Sequence, residues 1–178
     1  MAKTRRGFET VGDMVRSLGV VLAVVLVTVL ITIRTHGQEV RVVNYTPTLT
    51  EARRVAPFAV LAPAGLPADW RATSGDYSPA QLTHKVGVVL WHVGYLAPDG
   101  KYVGFEQTND ALDQVVAAQL GPAHQDGTST VSGVTWTRWS DSSGRRAIAV
   151  TQDKVSLVVH GTADWAELER FAATLRSS

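Results

Sequence analysis

The sequence contains no cysteine, so it can form no disulfide and has no thiol for lipid attachment. It also lacks a strong charge of either sign, with 17 Lys and Arg against 16 Asp and Glu. Five of the basic and two of the acidic residues occur up to Arg34, which leaves twelve basic and fourteen acidic residues for the rest. A segment this close to neutral has no basic patch for nucleic acid, and we predict no nucleic-acid partner.

Catalytic sequence motifs are missing as well. There is no G-x-S-x-G nucleophile elbow, no S-x-x-K at a helix start and no phosphate-binding loop, because the 15 glycines are scattered over turns and strands. The five histidines show no spacing that would place two of them on one helical face. We therefore predict no cofactor, no metal and no catalytic residue, and the sequence favours a protein that is not an enzyme.

The longest hydrophobic run covers residues 17–33 and contains no charged side chain. As an α-helix it would be about 25 Å long, near the short limit for crossing a bilayer. Four basic residues precede it, and the positive-inside rule then places the N-terminus in the cytoplasm. We predict a cytoplasmic basic segment at 1–16, a single transmembrane helix at 17–33, and a C-terminal domain outside the cell membrane.

Two other interpretations of this N-terminal region stay open. A cleaved signal peptide also starts with basic residues, but the hydrophobic run is long for one and 33–37 lacks an A-x-A-like cleavage site. The pair Arg5-Arg6 is similar to the start of a twin-arginine export signal, although two arginines also make an ordinary basic flank.

The remaining chain divides into a juxtamembrane part, 34–57, and an extracytoplasmic α+β domain, 58–178. Residues 40–45 have the composition of a strand, and Thr48 with Glu51 has the spacing of a capping box at the start of a short helix. Pro57 then ends that helix. The domain itself is predicted to begin with a strand at 70–77 after a proline-rich turn.

The clearest element of the domain is a β-hairpin around Pro98-Asp99-Gly100. This turn needs a left-handed residue, which Gly100 supplies, and a three-residue loop fixes the register of the two strands. The predicted cross-strand pairs are Ala97 with Lys101, Tyr95 with Val103, Val93 with Phe105 and Trp91 with Gln107. One face of the hairpin is then apolar and belongs to the core.

The full order of the predicted elements is three strands, a helix, three strands and a helix. A helix from Thr108 or Asn109 to Leu120 and a polar link at 124–130 precede three strands and a final helix that starts at Thr162 or Asp164. The predicted strands are 134–139, 145–152 and 155–161, with Val150 opposite Leu157, Ile148 opposite Val159 and His160 beside Ala147. The order predicts an antiparallel sheet with helices packed on it. Both helices are predicted to pack on one apolar face, formed by Val89, Trp91, Val93, Ile148 and Val150.

The opposite face of the first hairpin carries the candidate surface residues His92, Tyr102 and Glu106. The register places His92 directly opposite Glu106, and it places Gly94 opposite Gly104, which would leave a shallow depression between larger side chains. This pairing supports an alternative function, a hydrolase or a metal-dependent enzyme, because triads are assembled by geometry rather than by sequence spacing. A cross-strand hydrogen bond is the simpler interpretation.

Four stretches carry a resemblance to a known family: 13–18, 41–48, 62–70 and 91–107, which includes Trp91-His92-Val93-Gly94-Tyr95 and Pro98-Asp99-Gly100. Together they resemble the actinobacterial family catalogued as domain of unknown function 4245, and the resemblance covers nearly the whole chain. The resemblance implies a membrane-anchored envelope protein with no assigned activity. The stretch from Pro63 to Trp70, followed by antiparallel strands, is also similar to the photosystem P subunit fold.

Taken with the absence of catalytic motifs, these features predict a non-enzymatic interaction module of the cell envelope. Its expected partners are the membrane, through one helix, and an envelope protein or another envelope ligand.

Overall fold

The computed structural model describes residues 9–34, 42–79 and 86–177, and the chain divides into two compact units, Met1–Glu39 and Val40–Ser178. The first unit contains one helix, α1 (Glu9–Arg34), which includes the predicted span 17–33. Its side chains are described from 14 to 29, and all of them are exposed. No helix in the described part of the chain combines the length and the hydropathy needed to cross a membrane. The helix at 17–33 is therefore present, whereas its assignment as a transmembrane span is not supported.

The second unit has an α+β fold with an antiparallel sheet, as the sequence predicts. Its helices are α2 (Thr46–Val55), α3 (Leu112–Leu120) and α4 (Trp165–Ala172). Its strands are β1 (Ala62–Pro63), β2 (Arg71–Ser78), β3 (Leu90–Leu96), β4 (Tyr102–Thr108), β5 (Ala123–Val131), β6 (Val134–Asp141), β7 (Arg146–Gln152), β8 (Val155–Gly161) and β9 (Leu175–Arg176).

Seven strands form one sheet in the order β2-β3-β4-β8-β7-β6-β5, and β1 pairs with β9 separately. Every described pair is antiparallel. The halves of the chain meet where β4 pairs with β8, so each predicted hairpin supplies a central strand. This arrangement buries β8 between two neighbours and on both of its faces.

The registers predicted for the two hairpins are confirmed. Val93 lies opposite Phe105 in the first hairpin, and Ile148 lies opposite Val159 in the second. Gly100 has a φ of +80°, the left-handed conformation that the first turn requires. Asp153 and Lys154 both have positive φ, as a two-residue hairpin turn that follows the strand twist demands.

The main core lies on one face of the sheet, which we call the α4 face. It includes Trp91, Val93, Phe105, Ile148 and Val159 from the strands and Leu168 and Phe171 from α4. The placement of the final helix on this face is confirmed. Ala52 of α2 belongs to the same cluster. Trp91 is fully buried, and its indole N–H donates to the carbonyl of Leu61 at 2.9 Å.

The predicted placement of α3 is wrong, because this helix packs on the opposite face, which we call the α3 face. There Val115, Val116 and Leu120 contact a second cluster of small or branched residues, Ala147 and Ala149 of β7 and Val158 of β8. The central strands thus carry apolar residues on both faces, and each face takes a helix. Alternation along the strands shows that two faces exist but does not say which helix covers which.

Four other local predictions are wrong. Helix α3 begins at Leu112, after Ala111, rather than at a cap by Thr108 or Asn109. The predicted polar link 124–130 is part of β5, an edge strand with mostly exposed side chains, so no hydrophobic alternation marks it. Helix α2 begins at Thr46, with Pro47 in its first turn, rather than after a Thr48 cap. Of the predicted strand 40–45, residues 42–45 are neither helix nor strand, and 40–41 lie outside the described residues.

Candidate functional site

The candidate residues lie on the α3 face, on the half of the sheet made by β2, β3 and β4. The cluster around α3 includes residues of β7 and β8 but none of β2 or β3. His92 lies directly opposite Glu106 in the β3–β4 ladder, as the predicted register requires, and Gly94 lies opposite Gly104. Tyr102 is on the same face, two residues before Gly104.

A chain of two hydrogen bonds joins three side chains of this site. His92 Nδ1 lies 2.7 Å from Glu106 Oε1, and Ser74 Oγ lies 2.8 Å from His92 Nε2. An ionised carboxylate can only accept, so Nδ1 carries the hydrogen and donates to Glu106. In the neutral imidazole, Nε2 then accepts the hydrogen bond that the Ser74 hydroxyl donates.

Burial increases along this chain towards the carboxylate. The Glu106 side chain is 4% exposed and that of His92 is 19% exposed. Burial opposes ionisation of Glu106, but its contacts with His160 and His92 outweigh this and lower its pKa. Burial likewise disfavours protonated His92, yet the hydrogen bond and charge of Glu106, with the charge of Asp76, leave its pKa raised. The site therefore holds a carboxylate that stays ionised and a histidine with increased basicity.

His160 approaches the same carboxylate from β8. Its Nε2 lies 3.5 Å from Glu106 Oε1, and its side chain is 10% exposed. Neither this nitrogen nor Glu106 Oε2 has a hydrogen-bond partner among the described residues. We treat the His160 approach as an electrostatic contact rather than an aligned hydrogen bond. One buried carboxylate is thus shared by two imidazoles.

The two glycines make room for these polar groups. A Cβ at Gly94 would lie 2.4 Å from Ser74 Oγ and 2.6 Å from the Tyr102 hydroxyl. A Cβ at Gly104 would lie 2.6 Å from His160 Nε2. The prediction of a shallow depression at Gly94 and Gly104 is therefore wrong, because side chains from neighbouring strands occupy the space over both glycines.

The sequence of the chain matches that of a protein family. Residues 6–175 match the family described as "Protein of unknown function (DUF4245)". The protein is a member of the DUF4245 family. This confirms the family resemblance, and a comparison with curated proteins finds no match.

In this DUF4245 protein, sequence reasoning missed Ser74 and His160 as members of the site. Ser74 reaches His92 through a register shift in the β2–β3 ladder between Ala72 and Ser74, which places Ser74 opposite Gly94. No turn signal in the sequence marks that bulge. The predicted position of His160 beside Ala147 is confirmed, but its approach to Glu106 depends on the long-range pairing of β4 with β8, in which Gly104 is its partner.

The contacts of the Glu106 carboxylate with the two histidines should make the stability of the fold depend on pH. Because the pKa of Glu106 is lowered in the folded protein, its ionised carboxylate stabilises the fold at pH values above the ordinary carboxyl pKa of about 4.3. This contribution is lost as the pH falls through the lowered pKa. Raising of the His92 pKa stabilises the fold below about pH 6.5, and this is lost as the pH rises through the raised value. The joint contribution is therefore largest between about pH 4.5 and 6.5.

We expect the stability advantage of the wild type over Glu106→Gln to be larger at pH 5.5 than at pH 8.5. Urea melts of both proteins at the two pH values measure this difference. Glu167→Gln, on an exposed ion pair with Arg170, is the matched control. An advantage of equal size at both pH values would contradict the assignment.

Proposed function

We propose that this protein is an interaction module held at the cell membrane by α1, with the C-terminal unit outside the cytoplasm, where it binds an envelope protein or another envelope ligand. The observation that carries the proposal is the exposure of α1. Its exposed large hydrophobic residues include Met14, Val15, Leu18, Val20, Val21, Leu22, Val24, Val25, Leu26, Val27 and Val29. A helix that is apolar on all sides is normally buried in a core or in lipid.

The orientation rests on charge. Lys3, Arg5, Arg6 and Arg16 precede the uncharged run 17–33, and basic flanks are retained on the cytoplasmic side. Tethering also suits a binding function, because it raises the local concentration of a weak binder at the membrane.

The surface that supports binding is the β2–β3–β4 half of the α3 face. Its polar groups are presented from rigid, paired strands rather than from loops, so their relative positions are fixed before a ligand arrives. His92 and Tyr102 are partly exposed there, and Asp76 is exposed. These side chains provide hydrogen-bond donors and acceptors at a surface that a partner can reach.

The alternative function is either a metal-dependent enzyme or a hydrolase, and different observations bear on each. For a metal-dependent enzyme, the described residues offer no group of three His, Cys, Asp or Glu side chains placed to hold an ion. For a hydrolase, the observation in favour is the contact of the Ser74 hydroxyl with His92.

Fractionation and a reporter fusion test the membrane proposal. The full chain should remain in membranes after a high-salt wash, and a reporter fused after Ser178 should be active outside the cytoplasm. Release by salt, a cytoplasmic reporter, or a mature form that begins near Thr35 would contradict it.

Val24→Asp should weaken membrane retention, since an Asp at the centre of an inserted helix costs about 2.5–3.5 kcal/mol. Val24→Ala is the matched control and should stay in the membrane fraction. Equal retention of both variants would show that α1 is not held in lipid at this point.

A further inference from the structure

We propose that the site is also an esterase centre in which Ser74 is the nucleophile, His92 is the general base and Glu106 orients His92. This goes beyond the binding function that we propose, and it gives the hydrolase alternative a nucleophile, a base and a substrate class. The carrying observation is the order of contacts, hydroxyl to Nε2 at 2.8 Å and Nδ1 to carboxylate at 2.7 Å. The nucleophile and the orienting carboxylate contact the two different nitrogens of the base's ring, as a serine triad requires.

A second serine–histidine pair in the chain lacks the contact order of Ser74, His92 and Glu106. Ser140 Oγ lies 3.3 Å from His124 Nε2, but the carboxylate of Asp126 approaches that same nitrogen at 3.0 Å. The His124 side chain is 68% exposed. Among the residues that the structure describes, no carboxylate holds the opposite nitrogen of His124 in a defined tautomer. That group therefore has the residue types of a triad without its geometry.

Tyr102 is placed to stabilise the oxyanion. Its hydroxyl and that of Ser74 both lie over Gly94, where an added Cβ would meet them at 2.6 Å and 2.4 Å. Burial, followed by the charge of Glu106, raises the Tyr102 pKa, so the phenol keeps its hydrogen and acts as a donor. A tyrosine hydroxyl beside the nucleophile can hydrogen-bond the oxygen on which charge develops.

The reaction balances without any further reactant except water. Ser74 Oγ attacks the ester carbonyl carbon, and its proton moves to His92 Nε2. The tetrahedral intermediate then breaks its bond to the alkoxy oxygen, which takes the proton from Nε2 and leaves as the alcohol. Water attacks the acyl-serine, gives its proton to Nε2, and releases the carboxylic acid as Ser74 recovers its hydrogen.

The charge of the site indicates the substrate class. Glu106 is ionised in the site, and exposed Asp76 lies opposite His92 in the β2–β3 ladder. These carboxylates repel anionic acyl groups, so we assign uncharged carboxylic esters. A single hydroxyl donor at the oxyanion also favours esters over amides, because an alcohol is a better leaving group than an amine.

The test uses the full chain, purified in detergent, with p-nitrophenyl acetate and p-nitrophenyl butyrate as substrates. We expect turnover that falls by up to about 10⁶-fold in Ser74→Ala, the loss typical of removing the nucleophile of a serine triad. Ser140→Ala, which removes the hydroxyl of the other serine–histidine pair, should leave turnover unchanged. Urea melts establish that both variants are folded.

A fluorophosphonate probe gives a measurement that needs no variant. It should label the wild type stoichiometrically, and peptide mass spectrometry should locate the adduct on Ser74. Labelling of another residue, no labelling, or turnover that a folded Ser74→Ala variant retains would overturn the proposal. Ser74→Ala should remain in the membrane fraction, so loss of esterase activity is distinguishable from failure of the membrane proposal.

The pH profile separates a catalytic role of His92 from a structural one. The titratable groups around His92 are Asp76 on β2, Glu106 on β4 and, across the shared carboxylate, His160 on β8, with the Tyr102 hydroxyl over the neighbouring Gly94. Turnover should rise as His92 loses its proton, with a midpoint above the ordinary histidine value of about 6.5. Glu106→Gln should lower turnover at every pH, and a flat wild-type profile would contradict the assignment of His92 as the base.

Discussion

Phe171→Ala should lower the free energy of unfolding by about 3–5 kcal/mol, the range for removal of a fully buried phenyl ring. Phe171 is 0% exposed and lies where α4 meets the α4 face. Its ring centroid is 5.6 Å from those of Trp70 and Tyr95, so its loss also removes two aromatic contacts. The cavity would open between α4, β3 and Trp70, the residue before β2, and urea melts measure the cost.

Phe58→Ala is the matched control for this prediction. The substitution removes the same phenyl ring, but Phe58 is only partly buried against the same core cluster. We expect a loss well below that of Phe171→Ala, since less area is uncovered and solvent can fill the space. A loss below about 1 kcal/mol for Phe171→Ala would show that α4 does not dock as described.

The parts of the fold that follow from the sequence are those set by short-range chemistry. The turn at Gly100 and the alternation of apolar residues together fix the β3–β4 register, and that register alone brings His92 to Glu106. The same reasoning gives the β7–β8 register and the position of His160. Half of the candidate site is therefore predictable from two hairpins.

The rest of the site depends on helix placement and strand pairing that local sequence patterns do not predict. Strand β8 is apolar at Leu157, Val158 and Val159 in succession, so its sequence cannot say which of its faces receives α3. Ser74 joins the site only through the bulge in β2, and β2 is an edge strand without a hydrophobic face. Pairing between distant segments decides both features.

Gly161→Ala should destabilise the protein by about 3 kcal/mol, at the upper end of the cost of overpacking a buried position. Gly161 pairs with Val103 on one side and with Arg146 on the other, in the middle of the sheet. An added Cβ would lie 1.9 Å from the carbonyl oxygen of Tyr102. That obstacle is backbone rather than a flexible side chain, so only a shift of β4 against β8 could relieve it.

The same shift would reach the candidate site. The amide of Thr162 donates to the carbonyl of Tyr102, and the amide of Tyr102 donates to the Thr162 hydroxyl, both at 3.0 Å. Tyr102 is thus held at its backbone beside Gly161 while its hydroxyl lies over Gly94. Gly161→Ala should therefore reduce ester turnover as well as stability, although its Cβ touches no group of the Ser74–His92–Glu106 chain.

Gly144→Ala separates steric overlap from the conformational preference of glycine. Gly144 has a φ of +86° in an exposed turn, and an added Cβ there would meet no atom within 4 Å. Its cost should be only that of a left-handed alanine, about 1–2 kcal/mol, with ester turnover unchanged. The free energies of unfolding of the two variants, measured by urea melts, should differ by the cost of the contact between the new methyl group at position 161 and the Tyr102 carbonyl. Equal losses of stability in both variants would mean that β4 and β8 are not paired at Gly161 as closely as described. Unchanged ester turnover in Gly161→Ala would mean that the backbone of Tyr102 does not position its hydroxyl.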